Sequence, residues 1–135
     1  MSDKASVLFV NDAFYDAFRS RDLATMDRLW SRHAEVACIH PGWQPLTGRE
    51  DVMKSWEGIL SGSGAPEVFC LEPKAYVLGA TAFVVCYEQI GNGVLVATNI
   101  FVKEGSDWRL VHHQAGPCNA AAVEVEEGDD DNDLQ

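Results

Sequence analysis

At 135 residues, 47% of them hydrophobic, the chain is long enough to enclose one core and too short for two. A formal net charge of −11, with ten Lys and Arg scattered along the sequence, excludes a nucleic-acid surface, which needs clustered cations. Cys38, Cys70, Cys86 and Cys118 lie far apart, no leader-like segment opens the chain, and no apolar run is long enough to span a bilayer; the expectation is a reduced, cytoplasmic protein without membrane attachment.

The first half of the chain reads as helices. From Ser6 onward, Val7, Val10, Phe14, Ala17 and Phe18 recur at helical spacing while Asn11, Asp12, Asp16 and Arg19 fall outside that stripe, giving an amphipathic helix of about four turns. Asp22 is placed to N-cap a short helix carrying Leu23, Met26, Leu29 and Trp30. Val36 to Ile39 is a brief strand, broken at once by His40-Pro41-Gly42. Thr47 and Glu50 have capping-box spacing and open a third helix through Val52, Met53, Trp56, Ile59 and Leu60, which Ser61-Gly62-Ser63-Gly64 stops.

Four strands follow. Phe69 to Leu78 carries Pro73 in its middle, which implies a bend, a bulge or an edge position. Thr81 to Ile90 turns through Gly91-Asn92-Gly93, and pairing Ile90 with Val94 sets Val85 opposite Asn99, Phe83 opposite Phe101 and Tyr87 opposite Ala97. The turn from Glu104 to Asp107 then sets Asn99 opposite His112 and Phe101 opposite Leu110. One face of these hairpins thus carries Phe83, Tyr87, Asn99, Phe101, Trp108, His112 and Gln114; the other is β-branched, with Val94, Val96, Thr98, Ile100 and Val102. A one-residue bulge would exchange the faces beyond it. Helices in so short a chain can cover only one face, so the second is expected to meet another copy in a homodimer. Residues 119–135, with Glu124, Glu126, Glu127, Asp129, Asp130, Asp131 and Asp133, read as a solvated acidic tail outside a domain at 1–118.

The first face is the expected pocket lining. His112 is its proton-exchanging group or a half-buried histidine bonded to Asn99, and Asn99 orients a ligand or fixes the tautomer of His112. Gln114 and Tyr87 add hydrogen-bonding groups, and Phe83, Phe101, Trp108, Trp30 and Trp56 supply aromatic wall or plain core. Trp43, like Trp30 and Trp56, roofs the pocket or is plain core, and His40 falls near a cavity rim or, as a turn histidine, is exposed to solvent. No Asp or Glu lies on this face and Arg109 points away from it, so neither the carboxylate base of a ketosteroid isomerase nor an epoxide-hydrolase network is expected. The histidines and cysteines lack metal-ligand spacing and no phosphate-cradling glycine loop is present, so no metal and no cofactor are expected. What remains suits a small apolar or cyclic molecule with one or two polar groups.

The order of elements, together with Phe14-Tyr15, His40-Pro41-Gly42-Trp43, Leu46-Thr47-Gly48-Arg49-Glu50, Thr98-Asn99-Ile100-Phe101 and Trp108-Arg109-Leu110-Val111-His112-His113, resembles the SnoaL-like branch of the nuclear transport factor 2-like superfamily, from about Ser6 to Cys118. The resemblance implies an α+β cone-shaped barrel of cystatin-like fold, with three N-terminal helices on a strongly curved, mainly antiparallel sheet, a pocket between them, and dimerisation through the outer face. It leaves three functions open: a small-molecule-binding domain with an apolar pocket; an isomerase, cyclase or dehydratase using His112 as general base; or a dimeric assembly module with a vestigial pocket. Many such relatives carry a second histidine where this chain has Gln114, which weakens a two-histidine mechanism.

Overall fold

A computed structural model describes residues 1–62 and 67–123. Helix α1 (Asp3–Ser20) starts where the Ser2 hydroxyl accepts the Ala5 N–H at 3.1 Å, and it ends at Arg21, in the left-handed region at φ 59°. Its buried stripe is Val7, Asn11, Phe14, Tyr15 and Ala17. Asn11 therefore lies among the apolar residues and not on the solvent side. Helix α2 (Leu23–Leu29) begins as expected, the Asp22 carboxylate accepting the Thr25 N–H at 3.1 Å. Helix α3 (Arg49–Ser61) starts one residue later than the capping-box reading. Gly48, at φ 88°, occupies the cap position without a side-chain bond, and Thr47 instead joins a two-residue strand opposite Ala37. Arg49 ties this helix start to α2, donating to the Trp30 carbonyl at 2.9 Å and to the Asp27 carboxylate at 2.6 Å.

Among the described residues the strands are β1 (Ala37–Ile39), β2 (Leu46–Thr47), β3 (Phe69–Leu78), β4 (Thr81–Ile90), β5 (Gly93–Glu104) and β6 (Asp107–Pro117), in the sheet order β2-β1-β6-β5-β4-β3. Only β1 and β6 run parallel. Pro73 lies in a bulge of β3, between Leu71 and Lys74, beside Glu72 at φ 53°. With three helices and a mainly antiparallel sheet, this is the expected α+β architecture. The core lies between α1, α3 and one sheet face, where the Trp56 ring meets Phe14 at 5.5 Å and Phe18 at 5.0 Å. No helix among the described residues is long and apolar enough to cross a membrane.

The register departs from expectation twice, and both departures bear on the site. The β4–β5 turn spends two residues and not three: Ile90 pairs with Gly93, so Val84 opposes Asn99 and Cys86 opposes Ala97. Ala82, Val84, Cys86 and Glu88 thereby face the helices, while Phe83, Val85 and Tyr87 face outward, where Phe83 stacks on Tyr76 at 4.8 Å. On β6, Val111 is an extra residue. Ile100 pairs with His112 while Phe101 pairs with Leu110, so Trp108 and Leu110 point inward before the bulge, and His113 and Ala115 do so after it. His112 and Gln114 stand on the outer face.

Of the acidic end, residues 119–123 are described, and the Val123 main chain is bonded to Gln89. The rest of the expected tail, 124–135, lies outside the described residues, as does the Ser63-Gly64 part of the expected helix stop.

The Val111 bulge carries a direct test. Deleting Val111 would only remove the extra residue and leave His113 opposite Asn99. Inserting one residue between His112 and His113 would instead send Gln114 inward and His113 outward, stranding the Asn99 carbonyl without its donor at a cost of about 1 to 3 kcal/mol before any repacking. A sharp fall in the thermal midpoint is expected for the insertion and little change for the deletion; an unchanged midpoint in the insertion variant would mean that the register of β6 does not fix which residues the core contains.

Candidate functional site

Folding brings four elements to one buried polar cluster. Helix α1 contributes Asn11 and Tyr15, one helical turn apart; β4 contributes Cys86 and Glu88; β5 contributes Asn99; and β6 contributes His113. Each is nearly or fully buried, Glu88 at 2% exposure and His113 at 1%. The bonds form a directed chain. His113 Nδ1 lies 2.6 Å from Asn99 Oδ1, which can only accept, so the proton is on Nδ1. Asn99 Nδ2 donates to Asn11 Oδ1 at 2.9 Å and to the Tyr15 hydroxyl at 3.2 Å. The Tyr15 hydroxyl donates to Glu88 Oε2 at 2.6 Å, and it also lies 3.4 Å from Cys86 Sγ. Asn11 Nδ2 closes the far end on Cys70 Sγ at 3.7 Å.

Two consequences follow for the proton-exchanging groups. With Nδ1 protonated, His113 Nε2 is an unprotonated base directed at Glu88, 3.8 Å from Oε2. Burial then sets the charge of both. It raises the Glu88 carboxyl to about 7 despite the opposing Tyr15 bond, and it lowers His113 to about 3, with His40 adding a smaller push in the same direction. Through the mildly acidic range the pair is a neutral acid beside a neutral base and not an ion pair. Burial also pushes the Tyr15 hydroxyl well above its usual value, so it stays a donor.

A second, smaller group adjoins the first. His40 ends β1, only 4% exposed, with Nε2 2.9 Å from the Ser55 hydroxyl and its ring 4.8 Å from Trp56 and 6.3 Å from His113. This corrects the solvent-exposed place expected of a turn histidine. Burial lowers it to about 4 and raises its neighbour Cys38 to about 12. Trp43, half exposed, stands edge-on to His40 at 4.8 Å.

The residues singled out from the sequence are thus split. Asn99, Phe101, Trp108, Trp30, Trp56 and His40 lie on the helix side with Trp43 at its margin, whereas His112, Gln114, Tyr87 and Phe83 belong to the outer face. Tyr15 and Glu88 are the residues sequence reasoning passed over, and His113, which alternation from His112 assigns to the interface or surface side, is buried instead. The expected lack of a carboxylate on the lined face is overturned by Glu88. Among the described residues, surface clefts lie elsewhere, of about 710 Å³ beside Glu35, Thr47 and Arg49, about 450 Å³ between α2 and α3, and about 300 Å³ beside Phe9 and Trp108. Among the described residues no group of three or more His, Cys, Asp or Glu is placed to hold a metal.

Three helices and a mainly antiparallel six-stranded sheet together define a nuclear transport factor 2-like domain. The chain belongs to the SnoaL-like domain family, matching it over residues 7–118. It is similar to a putative dehydratase of the NTF2-like family from Streptomyces avermitilis, at 31% identity and TM-score 0.79 over 87% of this chain and 97% of that one. A putative calcium/calmodulin-dependent protein kinase type II association domain from Thiobacillus denitrificans is 30% identical, TM-score 0.69, over 82% and 93% of the two chains. The F-box protein SKIP8 of Arabidopsis thaliana is 27% identical over 112 residues, 82% of this chain; the chain spans about half of that relative's length, 48%.

The opposed shifts give the fold a pH signature. Glu88 holds its proton more tightly folded than unfolded, so its contribution is present at low pH and lost as pH rises through about 7. His113 and His40 resist protonation, so their contribution is present above the usual histidine value and lost as pH falls toward about 4 and about 3. These windows overlap through the mildly acidic range, where the contribution of the acid falls and that of the histidines grows as pH rises. Glu88→Gln removes only the falling part, so the variant's thermal midpoint should gain on the parent's as pH rises toward about 7 and hold a constant offset at higher pH; an offset that does not change with pH would assign the falling part to another group.

Proposed function

We propose that this SnoaL-like domain binds a small, mainly apolar molecule bearing one hydroxyl or carbonyl group, and that the polar end of its site is the pair Glu88 and His113. One observation carries the reading: a buried carboxylic acid, neutral up to about pH 7, adjoins an imidazole whose free Nε2 is turned toward it. A neutral acid donates and a neutral imidazole accepts, so together they match a ligand group that does both. Tyr15, Asn99 and Asn11 hold the pair in place. Phe14 and Trp56 supply apolar wall against the His113 ring, at 5.1 and 6.0 Å.

A second reading is favoured by the same pair. An acid with a pKa near neutrality beside a base is suited to moving a proton between two positions of a substrate, the work of an isomerase, cyclase or dehydratase. The likeness to a protein described as a putative dehydratase supports it. In that reading Glu88 exchanges the proton, Tyr15 stabilises developing oxyanion charge, and His112, on the opposite face, takes no part.

The outer face has its own role in the proposal. Val96 is 38% exposed, and Ile100, Val102 and Val111 are partly exposed beside it, which suits pairing with a second copy; the likeness to a protein described as an association domain supports this. Replacing Val96 and Ile100 together by Lys should leave a monomer in sedimentation. An unchanged mass in that variant, or a monomeric parent, would reject the interface.

Binding is tested with a panel of cyclic ketones and phenols followed by tryptophan fluorescence. Glu88→Gln and His113→Ala should each weaken the best of them by about 1 to 3 kcal/mol, with His112→Ala neutral. The reverse ranking would move the site to the outer face. If the domain is an enzyme, exchange of solvent deuterium into the carbon next to a bound carbonyl should fall by about a hundredfold in Glu88→Gln.

A further inference from the structure

Gln89 follows Glu88 on β4 and so stands on the outer face, yet only 3% of it is exposed. What covers it is the chain's own C-terminal segment. Beyond β6 the main chain doubles back over the β4–β5 turn. The Cys118 N–H donates to the Val94 carbonyl at 3.3 Å, and five residues on, Val123 meets Gln89. Gln89 Oε1 accepts the Val123 N–H at 2.9 Å, and Gln89 Nε2 donates to the Val123 carbonyl oxygen and, at 3.2 Å, to that of Gly91.

One residue giving its N–H and taking a bond on its C=O from the same partner is the exchange made by directly opposed residues of an antiparallel ladder. Here a side-chain carboxamide stands in for the opposing strand. Such a contact reads extended main chain and ignores the side chain, which fits the 52% exposure of Val123. The carboxamide is also committed: buried as it is, losing its partner would strand a donor and an acceptor away from water.

We propose that Gln89 is a main-chain clamp whose occupant is the chain's own segment 118–123, fastening it across one end of the outer sheet face. In sequence, the seven carboxylates from Glu124 to Asp133 follow directly on the clamped segment. No Lys or Arg follows Pro117 to offset them. Releasing the clamp would leave the charge on a longer tether from Cys118.

The clamp stands apart from the ligand site and is tested separately, on the full chain, by amide hydrogen exchange in NMR. The Val123 amide should exchange at least about tenfold more slowly than in an unstructured peptide. Gln89→Met, similar in length but without either hydrogen bond, should restore the peptide rate at Val123 while amides of β5 and β6 stay protected. Carboxypeptidase trimming followed by mass spectrometry gives a second reading: it should stall near Val123 in the parent and run on toward Cys118 in Gln89→Met and in Gln89→Ala. A Val123 amide exchanging at the peptide rate in the parent would overturn the clamp, as would protection or a trimming endpoint that neither substitution alters.

Discussion

Asn99 has no exposed surface, and its one carboxamide holds the two layers of the molecule together. Its amide group gives both hydrogens to α1, one to Asn11 and one to Tyr15, and its carbonyl takes the His113 proton from β6. Every one of those partners is itself buried, so none can turn to water if the helix shifts or a strand slips by a residue. The surrounding aromatic packing of Phe14, Phe18 and Trp56 would tolerate several arrangements. The amide chain tolerates one, because its donors and acceptors match in a single direction.

That direction determines the chemistry. Holding the proton on His113 Nδ1 leaves Nε2 basic and 3.8 Å from Glu88, and the Tyr15 hydroxyl, kept protonated by burial, accepts from Asn99 and donates to the carboxyl group. Desolvation is the larger influence on Glu88 and the Tyr15 bond the smaller, so the acid is neutral where surface carboxylates are charged. A buried carboxyl raised toward neutrality by its surroundings is a recurrent means of keeping a proton donor available near physiological pH.

Much of the fold was legible because it rests on periodicity and punctuation: the α1 stripe, the Asp22 cap, the bulge at Pro73 and the two hairpins all announce themselves in residue type. The site was less so, since face assignment on a strand depends on counting single residues. Gly91-Asn92-Gly93 can close a hairpin with two residues or three, and the two-residue choice turns Glu88 inward and Tyr87 outward. Asn11 and Tyr15 could have been found from their spacing within the Val7–Phe14 stripe. No residue type marks Val111 as the bulge that exchanges His112 for His113. The expected partnership of Asn99 with a β6 histidine does form, one residue further along the chain.

The central claim, that the core holds a neutral carboxylic acid beside a neutral imidazole, is tested most directly by NMR titration with carbon-labelled Glu and nitrogen-labelled His. The Glu88 side-chain carboxyl carbon should titrate near pH 7, and His113 should show an Nδ1-protonated neutral ring from pH 5 to pH 8. A Glu88 signal titrating in the ordinary carboxylate range, or a His113 ring that gains a proton in the ordinary histidine range, would contradict the account.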